Sequence, residues 1–269
     1  MKKVTEEDSR YSHLDSMEVE ELLTNINNED HLVAGAVQKV IPQVAAFVEE
    51  LVPRFNEGGR LFYIGAGTSG RLGILDASEI PPTFGLDFDK VIGIIAGGDG
   101  AIRKAVERAE DNRYQAWEDL KAYEINPLDT VVGITASGTT PYVLGGVQKA
   151  KEMGCLTAGL TNNSPSELGQ HVDHVFEVVV GPEFLTGSTR MKSGTAQKMV
   201  LNMISTSLMI RMGRVKGNKM VHMKISNQKL FNRGVDILVK ELHISHEVAH
   251  EYLKMYGSVK AVLENMAKI

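Results

Sequence analysis

Arg60-Leu61-Phe62-Tyr63-Ile64-Gly65-Ala66-Gly67-Thr68-Ser69-Gly70-Arg71-Leu72-Gly73 is the stretch from which the rest of the chain can be read. Leu61 to Ile64 is a continuous apolar run, as expected of a strand buried on both faces. Glycines and small hydroxyl residues then impose a sharp turn, and a helix is predicted from about Leu72. The same rhythm recurs downstream. Val91-Ile92-Gly93-Ile94-Ile95-Ala96 ends in Gly97-Gly98-Asp99-Gly100 and leads into a long polar helix predicted to reach about residue 123. Thr130-Val131-Val132-Gly133-Ile134-Thr135 ends in Ala136-Ser137-Gly138-Thr139-Thr140-Pro141 and opens a helix to about Met153. A fourth run, Cys155 to Leu160, ends in Thr161-Asn162-Asn163-Ser164, and a fifth covers His174 to Val180. Strand, turn and helix repeated in this way predict an α/β fold with a doubly wound, parallel, five-stranded sheet. In such sheets ligands bind beyond the carboxyl ends of the strands, where all these unusual loops fall.

The flanks are helical. Residues 16–56 predict two helices, the first capped by Asp15 or Ser16 and carrying Leu22, Leu23 and Ile26, the second carrying Val33 through Leu51. Beyond residue 187 a long helix is expected over about 190–212, another near 226–241, and a short helical tail over 245–268. This divides the chain into an N-terminal helical segment (1–56) packing on the sheet, a sheet domain (57–220) and a small helical C-terminal region (221–269). The 43% hydrophobic and 23% charged residues are ordinary for a globular domain, and a net charge of −5 argues against a nucleic-acid binder. The single cysteine, Cys155, precludes an internal disulfide or a cysteine zinc cluster. The longest apolar runs are strand-length, far below the roughly 20 residues needed to span a bilayer. With no apolar run after the basic start, a cytoplasmic location is expected.

Gly65-Ala66-Gly67-Thr68-Ser69-Gly70 matches the dinucleotide pattern G-x-G-x-x-G, but that reading also requires an acidic residue at the end of the second strand. Asp87 and Asp89 precede that strand and Asp99 lies beyond it, so the spacing is poor. A smaller anion suits the loop better. A helix N-terminus presents unpaired N–H groups and partial positive charge, glycines such as Gly67 and Gly70 let the backbone approach a phosphate closely, and Thr68 and Ser69 add hydroxyl donors. Ser137, Gly138, Thr139 and Thr140 form a second loop of the same kind. Either loop alone is equally well explained by hydroxyl N-caps; two on one sheet favour a sugar phosphate.

These two loops resemble the sugar isomerase (SIS) fold. More narrowly, Leu75-Asp76-Ala77-Ser78-Glu79-Ile80-Pro81-Pro82, Ala109-Glu110-Asp111 and Gly187-Ser188-Thr189-Arg190-Met191-Lys192-Ser193-Gly194 resemble the N-acetylmuramic acid 6-phosphate etherase family. That resemblance implies a lyase that removes D-lactate from the C3 ether of the amino sugar phosphate, with Glu79 and Glu110 at the two catalytic positions. Glu79, placed just before Pro81-Pro82 stop its helix, is assigned as proton donor and Glu110 as base at C2; the two roles are interchangeable at this stage. Ser188, Arg190 and Lys192 form a further candidate ligand loop, and Arg71 beside the first loop is either a ligand or a partner of an acidic residue. No metal or other cofactor is implied, and a homodimer is expected by analogy with the fold. A sugar phosphate isomerase, and a non-catalytic sensor resembling the glucokinase regulatory protein, are the alternatives.

Two other patterns are assigned to packing. His246-Glu247-Val248-Ala249-His250 matches the zinc peptidase motif, but a catalytic zinc needs a third ligand. The metzincin Gly and His extension is absent, Glu251 and Glu264 are the only acidic candidates downstream, and a helix capped by Ser245 accounts for the run. Met199, Met203, Met209 and Met212 read as core.

Overall fold

The computed structural model describes residues 3–225 and 227–266. Strands β1 (Leu61–Gly65), β2 (Val91–Ile95), β3 (Thr130–Ile134), β4 (Leu156–Thr161) and β5 (His174–Glu177) form one sheet in the order β2-β1-β3-β4-β5. All its neighbours are parallel. Gly65 pairs in register with Ile95 on one side and Ile134 on the other, so β1, β2 and β3 end at one level. The chain leaves β1 towards β2 and later adds β3 on the opposite side. The connections after β1 and β3 therefore diverge and open a crevice between them.

Side-chain alternation along each strand supplies two cores. Leu61 and Tyr63 face a layer made by α1 (Val19–Gln38), α2 (Ile41–Asn56), α3 (Gly67–Phe84) and α7 (Lys192–Arg211). Phe62 and Ile64 face the opposite layer, with α5 (Gln115–Lys121) and α6 (Pro141–Glu152). The first two helices thus share a core with the sheet. Met209 is buried in that core, and Met199, Met203 and Met212 pack against it. The C-terminal helices α8 (Gln228–Leu242), α9 (His246–Tyr256) and α10 (Val259–Met266) gather a separate cluster around Val235, Leu238, Leu253 and Val262.

Several boundaries depart from the sequence reading. The first helix begins at Val19 after a 3-10 turn at Leu14–Ser16, so neither Asp15 nor Ser16 caps it, and it runs on through Val33 and Val37. The break comes at Lys39-Val40, where the axis bends by 53°; Pro42 then sits in the first turn of α2, where its missing donor costs least. Pro81 and Pro82 do not stop α3. The helix runs through them to Phe84, held by burial of Ile80, Pro81 and Phe84, and closes where the Gly85 N–H donates to the Pro81 carbonyl at 2.9 Å. The long helix expected over 100–123 is broken into α4 (Gly100–Arg103), a 3-10 turn at Ala109–Asp111 and α5. The intervening residues carry no continuous apolar stripe: Val106 is exposed and Ala109 packs on the core, so the path of the segment is set by its contacts with α6 rather than by its own periodicity. Downstream, Asn227 caps α8 and Ser245 caps α9. The predicted start at residue 226 and tail at 267–268 lie outside the described residues. Among the described residues no single helix is long and apolar enough to cross a membrane.

Candidate active site

The crevice between the β1 and β3 connections is a polar cleft of about 350 Å³. Ala66, Gly67, Thr68 and Ser69 line one side, Ser137, Thr139 and Thr140 another, and Glu6, Glu110, Asp111, Gly187 and Thr189 close it. A larger groove of about 510 Å³ between α2 and α7 is mainly apolar and lies off the strand ends, so it presents no comparable array of donors.

Helices α3 and α6 both point their N-termini at this cleft, and both are uncapped. Ala66, the N-cap of α3, has no polar side chain, and Thr140 makes no side-chain bond to the first turn of α6. The Thr140 hydroxyl pairs instead with Thr135 at 2.6 Å. The N-cap explanation of these loops therefore fails locally, and the first-turn amides keep their capacity for an anion. Close packing of α3 on the sheet needs Gly70: a Cβ there would lie 2.6 Å from Ile95 Cγ1 and 2.7 Å from the Gly65 carbonyl oxygen. Ser69, though it lines the cleft, donates its hydroxyl to Gln197 at 2.9 Å, which ties α3 to α7. Ser137 Oγ accepts from the Thr139 amide and hydroxyl at 3.3 and 3.2 Å, giving the second loop its shape. In the first turn of α6, burial and then Asp119 push the Tyr142 phenol well above its ordinary value. It stays protonated and donates to Asp119 at 2.6 Å, fixing the helix end.

Helix α7 differs. Its first turn is already filled by the buried Glu183 carboxylate, which accepts from the Lys192 and Ser193 amides, both at 2.9 Å, and from the Ser193 hydroxyl at 2.7 Å. Lys192, expected as a ligand, is 1% exposed and pairs its ammonium with the buried Glu29 of α1. That corrects its assignment. Of the same loop, Gly187 and Thr189 reach the cleft, whereas Ser188 and the exposed Arg190 do not line it. Arg71 lines an adjoining hollow and clamps the carbonyls of Ala101 and Ile102, both at 2.8 Å; its partners are backbone, not an acid.

The two glutamates part company. Glu110 stands in the cleft wall on its 3-10 turn, after Arg108 at φ 59°. Glu79 lies on the exposed strip of α3 with Leu75 and Ser78, about three turns and roughly 18 Å along the axis from Gly67. It does not line the cleft of its own chain. Two residues near the N-terminus, by contrast, were missed: Glu6 lines the cleft, and Lys3 donates to the Thr139 hydroxyl at 2.8 Å. No local pattern marks them, because only the fold brings them to loops more than a hundred residues away.

Comparison with known proteins agrees with this architecture. Residues 43–151 match the glucokinase regulatory protein N-terminal SIS domain, and residues 114–207 match the SIS domain. An E. coli CFT073 protein, solved as a ligand complex, superposes with a TM-score of 0.54 at 19% identity, over 75% of this chain and 97% of that one. A Bacteroides fragilis protein described as a putative phosphosugar isomerase gives 0.56 at 19% identity, over 73% and 92%. These establish the fold. N-acetylmuramic acid 6-phosphate etherase of Bacteroides thetaiotaomicron is 57% identical over 97% of this chain and 95% of its own length. The protein of the same name from Porphyromonas gingivalis is 55% identical over 98% and 96%. At 55–57% identity over nearly its whole length, the chain belongs to the N-acetylmuramic acid 6-phosphate etherase family.

Proposed function

We propose that the protein is a carbon–oxygen lyase that converts N-acetylmuramic acid 6-phosphate to N-acetylglucosamine 6-phosphate and D-lactate, in the recycling or breakdown of cell-wall amino sugar. The observation that carries this is the meeting of the uncapped ends of α3 and α6 with Glu110 in one polar cleft. The helix ends hold the phosphate; Glu110 is the base. In the open-chain aldehyde the carbonyl acidifies the C2 proton. Glu110 takes it, the C2 electrons form the C2–C3 double bond, and the C3–O bond breaks as lactate leaves with a proton. Water then returns hydroxide to C3 and a proton to C2. Each positioned acid or base contributes about 10² to 10⁴ in rate. The proton donor in this scheme is Glu79, and because it is remote from its own cleft we assign it to the site of a second copy in a homodimer. Chemistry on a phosphorylated sugar, and one buried thiol, suit a cytoplasmic location.

Incubation with N-acetylmuramic acid 6-phosphate should release D-lactate in equal amount with N-acetylglucosamine 6-phosphate, and in D₂O the product should carry deuterium at C2. Glu110→Gln should lower kcat by about 10² or more with the fold intact. Conversion of the sugar without lactate release would sink the lyase reading.

A further inference from the structure

The segment before α1 is a strap across the carboxyl end of the sheet, and it is fastened on both sides of Glu6. Thr5 is fully buried; its amide donates to Asn163 Oδ1 at 3.3 Å, and Asn163 Nδ2 returns a bond to the Thr5 hydroxyl at 3.0 Å. The same Asn163 amide holds the Ala136 carbonyl at 2.9 Å, so the clasp includes the connection after β3. On the other side, the Ser9 amide donates to the Thr186 hydroxyl at 2.9 Å and the Ser9 hydroxyl to the Phe184 carbonyl at 2.7 Å. The Tyr11 ring packs on Phe184 at 5.1 Å. Glu6, between these anchors, lines the cleft, its Oε2 3.8 Å from where a Cβ on Gly187 would stand. Glu6 is exposed, and among the described residues no side chain or amide donates to its carboxylate, which leaves it open to donors on a ligand in the cleft.

From this geometry we infer that Glu6 is a substrate-contacting residue that accepts hydrogen bonds from the hydroxyl groups of the bound hexose, with the Thr5–Asn163 clasp as its positioning device. The assignment rests on the etherase reading of the cleft. Coulomb repulsion decides which part of the ligand Glu6 meets. The substrate carries a phosphate and a lactyl carboxylate, and a third carboxylate beside either is unfavourable. An ionised carboxylate is acceptor-only, so it must face O–H or N–H donors, and the sugar hydroxyls supply them. Phosphate is then left to the helix ends, with C2 towards Glu110. A hydrogen bond to a charged acceptor also selects against ligands that lack the donor, since the carboxylate is then left unpaired.

The test compares wild type, Glu6→Gln and Glu6→Ala by thermal midpoint, by kcat and KM for lactate release, and by C2 deuterium exchange into N-acetylglucosamine 6-phosphate in D₂O. The expected result is an unchanged midpoint and a KM raised roughly ten- to a hundredfold in Glu6→Ala, the range a charge-assisted hydrogen bond carries. Glu6→Gln should be milder, because its amide oxygen still accepts. Exchange should fall in step with lactate release at subsaturating substrate. Unaltered KM overturns the inference; so does lactate release lost with exchange intact, which would make Glu6 the proton donor instead. Should the wild type release no lactate, the etherase reading fails by itself. Calorimetric binding of N-acetylglucosamine 6-phosphate then reads the inference separately: weaker binding by Glu6→Ala upholds it and equal binding overturns it.

Discussion

Lys192 illustrates how a residue's neighbours, rather than its motif, determine its work. It follows a Gly-Ser-Thr-Arg run and opens a helix, the setting of a phosphate-binding lysine, yet its ammonium is spent on Glu29 in the interior. Arg10, at 3.5 Å from the other Glu29 oxygen and half exposed, completes the group. A buried ion pair is only a weak source of stability, but removing one partner leaves an uncompensated charge at a cost of about 3–5 kcal/mol. Lys192→Met is therefore expected to lose about that much in urea unfolding. The exposed Arg190→Ala should stay within about 0.5 kcal/mol. A raised KM with unchanged unfolding in Lys192→Met would return that lysine to the ligand set. The sequence cannot separate the two roles: they depend on how α7 is rolled about its axis, and that is settled by a carboxylate on α1.

At the scale of elements, the legible parts were those with local causes. Continuous Val/Ile runs between Gly-rich turns mark parallel strands wherever they occur, and five were read within a few residues of β1 to β5. The segment from Gly100 to Lys121 has no such local cause, and its shape follows from what packs on it. There α6 approaches so closely that a Cβ on Gly145 would lie 1.7 Å from the Arg113 carbonyl oxygen. Arg113 follows closely on the 3-10 turn that carries Glu110, so Gly145→Ala must displace that turn or α6. Misplacement of a reacting group by about 1 Å can cost about 10² in rate. We expect kcat for lactate release to fall at least tenfold in Gly145→Ala, on the order of that cost, together with the thermal midpoint. Gly35→Ala is the control: a Cβ there meets nothing within 4 Å, and at this exposed position of α1 the change should leave kcat alone and stabilise by about 0.5–1 kcal/mol. Equal kinetics in the two variants would show that Glu110 is not held by this contact.

The whole molecule leaves Glu79 unexplained unless a second copy is present. Asp76, one turn back along the same helix, is buried and locked to α7 by Asn202 at 2.7 Å and Ser205 at 3.1 Å. Because α3 is held in that roll, Glu79 cannot swing into its own cleft without breaking the lock. The strip it occupies also shows Leu75, an apolar side chain left about half exposed in the single chain. A two-fold pair in which this strip meets the partner's cleft would bury Leu75 and place one Glu79 against each Glu110. The consequence is kinetic and separable. Glu79→Gln and Glu110→Gln homodimers should each be nearly inactive. In a mixed dimer one site then has both changes and the other has both native glutamates. Random reassortment makes about half the dimers mixed, so roughly a quarter of wild-type lactate release should return. A sedimentation profile showing monomer during turnover, or two inactive variants that stay inactive after reassortment, would remove Glu79 from the partner's site. Catalysis would then have to draw its proton donor from Glu6 or Asp111, the other carboxylates that line the cleft of the single chain.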